Sequence, residues 1–320
     1  MTKYVIKRLI LMLFTFFIIV TISFMLIRLL PREMPQEKNL QAVITARFEA
    51  LGYNKPLITQ YAIYLKNIFT EWDFGTSWYI QFRAPAMEVL TSRLAPTVLI
   101  NVYAVIFSVP MGILLGIYAA VKKNKWQDHL LSTLVMVFVS VPGYVVAFFL
   151  QYFFFFKLGW LPLTVYALAD AGNSYFTWKM FTSLIMPIMA MSFGSIAFYT
   201  RFVRAELTES LTSDYMLLAR AKGLTRAQAT GRHALKNAMV PLMPVVLGEF
   251  VGLLGGSIII EQIFSIPGVG QLEIRAIRQL DYDVFMVCII FYVFVGLAFG
   301  IIADLSYGWI DPRIRMGSKK

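Results

Sequence analysis

The sequence contains very few of the side chains from which metal and redox sites are built. Its 320 residues include one cysteine, Cys288, and two histidines, His129 and His233. A single cysteine excludes a disulfide within the chain and a cysteine-based zinc cluster. The histidines are far apart and have no sulfur or acidic ligand at metal-binding spacing, so we expect no metal site.

Charged residues are also scarce. They make up 15% of the chain, whereas hydrophobic residues make up 58%, and the mean hydropathy is +0.68. The apolar residues fall in long blocks and not at the spacing of a helix that faces water. This composition excludes a soluble globular fold and indicates an all-α integral membrane protein.

Six blocks are long enough to cross a bilayer, which takes about 20 apolar residues per helix. They are residues 9–27, 94–121, 130–156, 180–200, 237–260 and 284–303. The first block is longer than the core of a signal peptide and no small-residue cleavage site follows it, so we expect an uncleaved anchor. With no internal repeat or low-complexity linker, residues 1–320 are expected to form a single transmembrane domain.

The distribution of Lys and Arg predicts the orientation, because segments rich in them stay in the cytoplasm. With the N-terminus inside, the cytoplasmic segments carry 17 Lys and Arg against 6 Asp and Glu, and the external segments carry 12 against 11. The formal charge of +11 therefore faces anionic lipid on one side of the membrane, and nucleic acid is not an expected partner. Both termini are expected in the cytoplasm.

The predicted external loop of residues 28–93 is too long for a simple connector and should have structure of its own. Pro56 precedes a set of apolar residues at helical spacing, which predicts a short amphipathic helix on the outer membrane surface. The set is Ile58, Tyr61, Ala62, Leu65 and Phe69. Turn-forming residues in EWDFGTS (71–77) are expected to end this helix.

Glycines at four-residue spacing allow helices to pack closely in a membrane. They are Gly112 and Gly116, then Gly248, Gly252 and Gly256, and finally Gly296 and Gly300. In the fifth span they accompany Glu249, the one charged residue within the six spans, and Ser257. We expect this span to form a subunit interface or the wall of a passage, lined by Glu249, Gly252 and Ser257, although packing within the chain also explains each glycine pair.

The predicted cytoplasmic loop of residues 201–236 contains two short helices with clear ends. Thr212 to Asp214 supply an N-cap and an early acidic residue, and Gly223 follows a cationic last turn as a stop signal. The sequence TRAQ (225–228) then has the spacing of a capping box and opens a basic helix. On the first helix one face is formed by Tyr215, Leu218, Ala219 and Lys222, with Leu217 and Ala221 beside it. Such a helix is suited to a partner's socket or to the lipid headgroups.

The run DYMLLARAKG (214–223), followed by HALKNA (233–238) and Pro241, resembles the cytoplasmic EAA loop of bacterial ABC importer permeases in its peptide-permease form. Leu217 stands in the place of the glutamate that names the loop. Other segments are similar, in order, to the B-type subunit of oligopeptide and dipeptide (peptide/nickel) permeases. They are YVIKR (4–8), LP (30–31), KP (55–56) with QY (60–61), DFGTS (73–77), EQIFSIPGVG (261–270), DY (281–282) and DPRIR (311–315). Arg32-Glu33 and Asp283 depart from the family pattern, both on the predicted external side.

The resemblance implies the type I ABC importer permease architecture, with six transmembrane helices, in a bacterial cell membrane. It implies a second homologous permease, two cytoplasmic ATPase subunits that hold ATP and Mg, and an extracytoplasmic substrate-binding protein. The chain itself would need no cofactor. The implied ATPase contact is a coupling helix of Asp214, Tyr215, Leu218, Ala219, Arg220, Ala221, Lys222 and Gly223. Peptides are the expected cargo, with nickel chelates and oligosaccharides as alternatives.

Two other classes of function have little support in the sequence. The chain lacks the phosphate-binding motif G-x-x-x-x-G-K-[ST], so it is not itself the ATPase. An intramembrane enzyme or an ion-coupled carrier would need several ionisable residues within the spans, and only Glu249 is present.

Overall fold

The computed structural model describes residues 2–30, 38–50, 52–254 and 258–310. Within these ranges the chain forms helices and loops, with one isolated β-bridge between Thr76 and Pro85. The helices are α1 (Thr2–Arg28), α2 (Lys38–Ala50), α3 (Leu57–Glu71), α4 (Ala86–Val121), α5 (Trp126–Ser140), α6 (Gly143–Leu150), π1 (Gln151–Lys157), α7 (Trp178–Leu211), α8 (Asp214–Ala221), α9 (Arg226–Ala229), π2 (Thr230–Ala234), α10 (Leu235–Met239), α11 (Leu242–Leu254), α12 (Ile258–Ile263), α13 (Val269–Arg278) and α14 (Tyr282–Ile310). The predicted all-α fold is confirmed.

Four predicted spans, the first, second, fourth and sixth, lie in helices long and apolar enough to cross a membrane. The matching stretches are Val5–Arg28, Ala86–Val121, Trp178–Leu211 and Tyr282–Ile302. Large apolar side chains are exposed on these four helices. On α1, for example, Leu13 and Phe14 are each 62% exposed. An exposed apolar surface of this kind is energetically favourable in contact with lipid and unfavourable in contact with water.

The predicted third span, residues 130–156, is not one continuous helix. The structure bends by 100° between the pair Trp126–Ser140 and Gly143–Lys157. Pro142 explains the break, because it has no N–H to donate to the preceding turn and it pushes the residue before it into an extended conformation. Val141 has ψ 121° accordingly.

The predicted fifth span, residues 237–260, is interrupted between α10 and α11. Pro241 lies in the turn between α10 and α11, where it interrupts the helical hydrogen bonding. Residues 255–257 lie outside the described part of the chain. The described residues therefore contain four helices that could span a membrane, or five if the bent pair is one span, and the count of six stays a prediction.

The chain divides into two compact units, Met1–Thr97 with Pro267–Ile301 and Val98–Ile266 with Ile302–Lys320. In the first unit α3 packs on α1, where Phe24 contacts the rings of Tyr61 and Tyr64 and the Tyr61 hydroxyl hydrogen-bonds Thr21 Oγ1 at 2.6 Å. The helix predicted after Pro56 is thus confirmed. On this helix Ile58 and Phe69 are 78% and 82% exposed, and its place on the outer membrane surface stays a prediction.

In the second unit α4 and α7 pack closely through the first predicted glycine pair. A Cβ atom at Gly112 would lie 2.5 Å from Cβ of Tyr199, and one at Gly116 would lie 2.7 Å from Cβ of Val203. This pair therefore serves packing within the chain. In contrast, a Cβ atom at Gly248, Gly296 or Gly300 would meet nothing within 4 Å among the described residues.

A buried ion pair joins α5 to α7 in the same unit. Asp128 is 1% exposed and accepts two hydrogen bonds from the Arg204 guanidinium, at 2.5 Å and 2.8 Å. The backbone N–H of Asn124 donates to the same carboxylate at 3.0 Å. This bidentate geometry fixes the start of α5 against the end of α7 that leads into the two-helix loop.

Candidate functional site

The first short helix of the loop, α8, forms over the predicted residues. Ser213 occupies the N-cap position with φ −76° and ψ 156°, and Asp214 lies in the first turn, where its charge is favourable to the helix dipole. The Ser213 hydroxyl does not cap the helix, since it donates instead to the carbonyl of Ser210 at 2.6 Å. The helix begins where the sequence predicts, but its side-chain cap differs.

The end of α8 is a Schellman motif centred on Gly223. The backbone N–H of Gly223 donates to the carbonyl of Arg220 at 3.0 Å, and that of Leu224 donates to the carbonyl of Ala219 at 3.3 Å. Gly223 has φ +89°, a left-handed conformation that a glycine adopts without steric cost. The predicted stop signal is confirmed.

The second helix of the loop begins at a complete capping box. The Thr225 side chain accepts from the backbone N–H of Gln228 at 3.3 Å, and the Gln228 side chain accepts from the backbone N–H of Thr225 at 3.0 Å. The prediction from TRAQ is therefore confirmed. Because Gly223 and Thr225 are two residues apart, both helix ends are fixed by one tight corner.

The inner side of α8 is held against the core of its own unit. Met216 and Ala219 are 4% and 6% exposed. They pack in a cluster with other small and apolar side chains, namely Ala120, Leu207, Ala229, Ala234 and Ala238. The alanines permit close approach of the helices, so α8 is seated on α4, α7 and the segment that follows it.

A buried serine joins the three elements that meet at the corner. Ser210, 7% exposed near the end of α7, donates its hydroxyl hydrogen to the carbonyl of Ala234 at 2.9 Å. Its oxygen also hydrogen-bonds the Tyr215 hydroxyl of α8. Since a serine hydroxyl has only one hydrogen, Tyr215 must be the donor in that contact. Ser210 thus connects α7, α8 and π2.

The outer side of α8 is apolar at its centre and cationic at its end. Leu217 and Leu218 are 65% and 57% exposed, and Tyr215 is 38% exposed. Arg220, Ala221, Lys222 and Gly223 are also exposed. A groove beside this face is lined by Leu217, Arg220, Ala221, Gly223, Leu224, Thr225 and Arg226. An exposed apolar tip on a rigid helix is suited to insertion into a complementary surface.

Most of the predicted coupling residues lie on this outer side, but Ala219 does not. The sequence places Ala219 on one face with Tyr215, Leu218 and Lys222, whereas the structure buries it in the chain's own core. Sequence reasoning also missed Ser210 and Met216. The three-residue spacing of Met216 and Ala219 was the available signal, since it places both on one stripe of the helix.

Of the three residues predicted to line a passage, the structure describes the positions of two. Glu249 lies on α11 and is half-buried. Its Oε2 is buried and makes no hydrogen bond within the described part of the chain. Gly252 lies on the same helix, and Ser257 lies outside the described residues. The pathway-lining role of these three residues stays a prediction.

Comparison with known proteins gives a consistent result over the full length. Residues 112–316 match the family described as "Binding-protein-dependent transport system inner membrane component", and residues 1–99 match the corresponding N-terminal family. Relatives include the dipeptide transport system permease protein DppB of Lactococcus lactis subsp. cremoris, 35% identical over 99% of this chain and 100% of that protein. The glutathione transport system permease protein GsiC of Shigella flexneri is 32% identical over 98% of this chain and 99% of that protein.

Two solved structures have a similar fold. The inward-facing MetNI methionine ABC transporter gives a TM-score of 0.55 at 17% identity, over 70% of this chain and 97% of that one. An amino acid ABC transporter structure gives 0.52 at 18% identity, over 69% of this chain and 94% of that one. The architecture is thus that of type I ABC importer membrane subunits.

Proposed function

The chain belongs to the family of binding-protein-dependent transport system inner membrane components, and on that premise we propose that it forms half of the passage for oligopeptides or dipeptides in an ABC importer. It is a multi-pass permease subunit of a bacterial membrane. The peptide cargo is supported by the two dipeptide permeases among its relatives, 35% and 33% identical over almost the whole chain. Nickel chelates or oligosaccharides find no support among these relatives.

The proposed complex contains a second homologous permease, two cytoplasmic ATPase subunits and an extracytoplasmic substrate-binding protein. ATP and Mg bind in the ATPase subunits. Gly248 supports a helix partner on α11, because a Cβ atom there would meet nothing within 4 Å among the described residues, whereas Gly112, which packs within the chain, has close neighbours. Both termini and the two-helix loop lie in the cytoplasm in this arrangement.

We assign energy coupling to α8 because of the way in which this helix packs on its own unit. Its inner side is fixed by Met216, Ala219 and the Ser210 hydrogen bonds, while Leu217 and Leu218 remain outward. A movement imposed on the outer side is therefore transmitted to α7 as a rigid shift. ATP-driven closure of the ATPase subunits would use this path to change the passage from inward-facing to outward-facing.

Uptake into proteoliposomes tests the proposed function. The complete complex is reconstituted with its binding protein, and uptake of labelled alanylalanine, glutathione, a nickel chelate and an oligosaccharide is compared with and without ATP. We expect ATP-dependent uptake of the peptides alone. Equal uptake without ATP, or uptake restricted to the sugar or the chelate, would contradict the proposal.

A further inference from the structure

One side of α4 is apolar and exposed up to the last turn of the helix. Leu114, Tyr118 and Val121 follow one another at intervals of four and three residues, which places them on one stripe of the helix surface. All three side chains are exposed, Leu114 by 63%. Because α4 is long and apolar enough to cross a membrane, this stripe is suited to contact with the acyl chains of lipids.

A second apolar stripe begins directly after the turn that connects α4 to α5. Trp126, the first residue of α5, is 70% exposed, and the exposed side chains of Leu130, Leu134 and Val137 continue the stripe at helical spacing. Tryptophan is enriched where the hydrocarbon of a bilayer meets the headgroups, because its ring is apolar and its N–H needs a polar partner. Trp126 therefore indicates that the turn lies at the level of the headgroups.

The turn between the two stripes carries three lysines within four residues. Lys123 and Lys125 are exposed and Lys122 is half-buried. None of the three makes an ion pair with another residue that the structure describes. The acidic residue nearest to them in the sequence, Asp128, is already paired with Arg204. The turn therefore presents three positive charges that the chain itself does not balance.

Hydrogen bonds fix the backbone of this turn. Asn124 has a left-handed φ of +62°, and its N–H donates to the Asp128 carboxylate at 3.0 Å. The N–H of Lys125 donates to the carbonyl of Lys122 at 2.9 Å. The lysine side chains therefore start from fixed positions, and their long apolar stems allow the ammonium groups to reach the level of the lipid phosphates.

We propose that this turn binds an anionic phospholipid of the cytoplasmic leaflet, the leaflet being the one that the predicted orientation gives. The lysine ammonium groups donate to the phosphate, and the acyl chains lie along the apolar stripes of α4 and α5. Three unbalanced cations favour a headgroup with a net negative charge over a zwitterionic one, in which a second group already balances the phosphate. The two stripes favour a lipid over an acidic protein surface, which would have no apolar groups to match them.

Photolabelling of the complete permease complex in phosphatidylcholine nanodiscs tests the site. A small fraction of the lipid is replaced by phosphatidylglycerol or phosphatidylcholine that carries the same diazirine in one acyl chain, and adducts on residues 114–137 are quantified by mass spectrometry. Each lysine near an anionic headgroup is expected to favour its binding about fivefold. We therefore expect phosphatidylglycerol to label this segment about tenfold or more strongly than phosphatidylcholine. Equal labelling by the two lipids would overturn the site.

Three triple variants separate a defined site from diffuse positive charge. Replacing Lys122, Lys123 and Lys125 with Gln should abolish the excess labelling by phosphatidylglycerol, whereas replacing them with Arg should preserve it, because Arg also binds phosphate. The matched control makes the same change in charge at three other exposed cations of the predicted cytoplasmic side. They are Arg226, Arg232 and Lys236, each replaced with Gln. Unchanged thermal unfolding shows that the variants remain folded. An excess that survives loss of the three lysines, or that falls equally in the control, would contradict the proposal.

Two further measurements test the other occupants of the turn. Soluble glycerol 3-phosphate has the anionic group without acyl chains, so an excess of it should leave the labelling by phosphatidylglycerol unchanged. A loss of labelling would instead assign the turn to a free phosphate. A carbodiimide joins lysines to carboxylates that they contact, and we expect it to form no crosslink from this turn to another subunit. Such a crosslink would show that a protein partner covers the lysines and would overturn the lipid site.

Discussion

Gly223 determines the direction in which the chain leaves α8. Its φ of +89° lies in the left-handed region, and a Cβ atom added there would meet nothing within 4 Å among the described residues. A side chain at this position therefore brings conformational strain without a clash. Asp128 is a different kind of residue, because its importance lies in a charge that is buried and paired.

Replacing Gly223 with Ala is expected to cost about 1 kcal/mol and to reorient the corner, reducing ATP-driven peptide uptake with normal membrane insertion. Gly231→Ala is the control. That glycine lies in π2 of the same loop, also has open space around it, and has no positive φ. Uptake and thermal unfolding are measured for both variants. Equal behaviour of the two would show that the corner does not depend on left-handed geometry.

Removing the partner of Asp128 is expected to destabilise the chain. Arg204→Ala leaves a carboxylate that is 1% exposed without its bidentate donor, a change that typically costs about 3–5 kcal/mol. We expect a clear fall in the thermal unfolding temperature in detergent. Arg201→Ala, at an exposed position on the same helix, should have little effect. Similar unfolding temperatures for the two variants would contradict the structural role of the ion pair.

At the level of elements, the features predicted best are those that neighbouring residues decide. The TRAQ capping box and the Gly223 stop involve hydrogen bonds between residues three to five positions apart, so their spacing is sufficient. The burial of Ala219 depends on Ala120 of α4 and Leu207 of α7, which cannot be identified from the spacing within α8. Likewise, Pro142 predicts a break in the third span. The size of the bend at that break, 100°, depends on the packing of α6 against α7.

The contact between Ser210 and Tyr215 makes α8 and α7 move together in this account. Tyr215→Phe removes the hydroxyl and keeps the ring, so the helix should remain folded while its link to α7 loosens. We expect ATP hydrolysis to continue and peptide uptake per ATP to fall several-fold. Tyr118→Phe, at a tyrosine 47% exposed on α4, is the control. An unchanged ratio of uptake to hydrolysis in Tyr215→Phe would exclude this link.

Gly112 of the second predicted span and Gly248 of the fifth should respond differently to substitution. Gly112→Ala forces a Cβ atom to 2.5 Å from Tyr199 and should destabilise the chain itself. A Cβ atom at Gly248 would meet nothing within 4 Å among the described residues, so Gly248→Leu should leave the chain folded and reduce its co-purification with the second permease. Retained pairing in Gly248→Leu would show that α11 does not form the subunit interface.

At the scale of the whole molecule, the orientation in the membrane follows from the charge distribution and stays a prediction. Glu71 and Thr212 are exposed and lie on opposite predicted sides. Each is replaced by Cys in a Cys288→Ala background, and whole cells are treated with an impermeant thiol reagent. We expect labelling at position 71 alone. Labelling at 212 but not at 71 would invert the topology.

In the proposed coupling mechanism the outer side of α8 contacts an ATPase subunit, and site-specific crosslinking detects that contact. Leu217→Cys, at a position 65% exposed, carries a photoreactive maleimide in the Cys288→Ala background, and Phe69→Cys, at a position 82% exposed on α3, is the control. We expect a covalent adduct between the chain and the ATPase from position 217 and none from position 69. An assembled, transporting complex that gives no adduct from position 217 would contradict it.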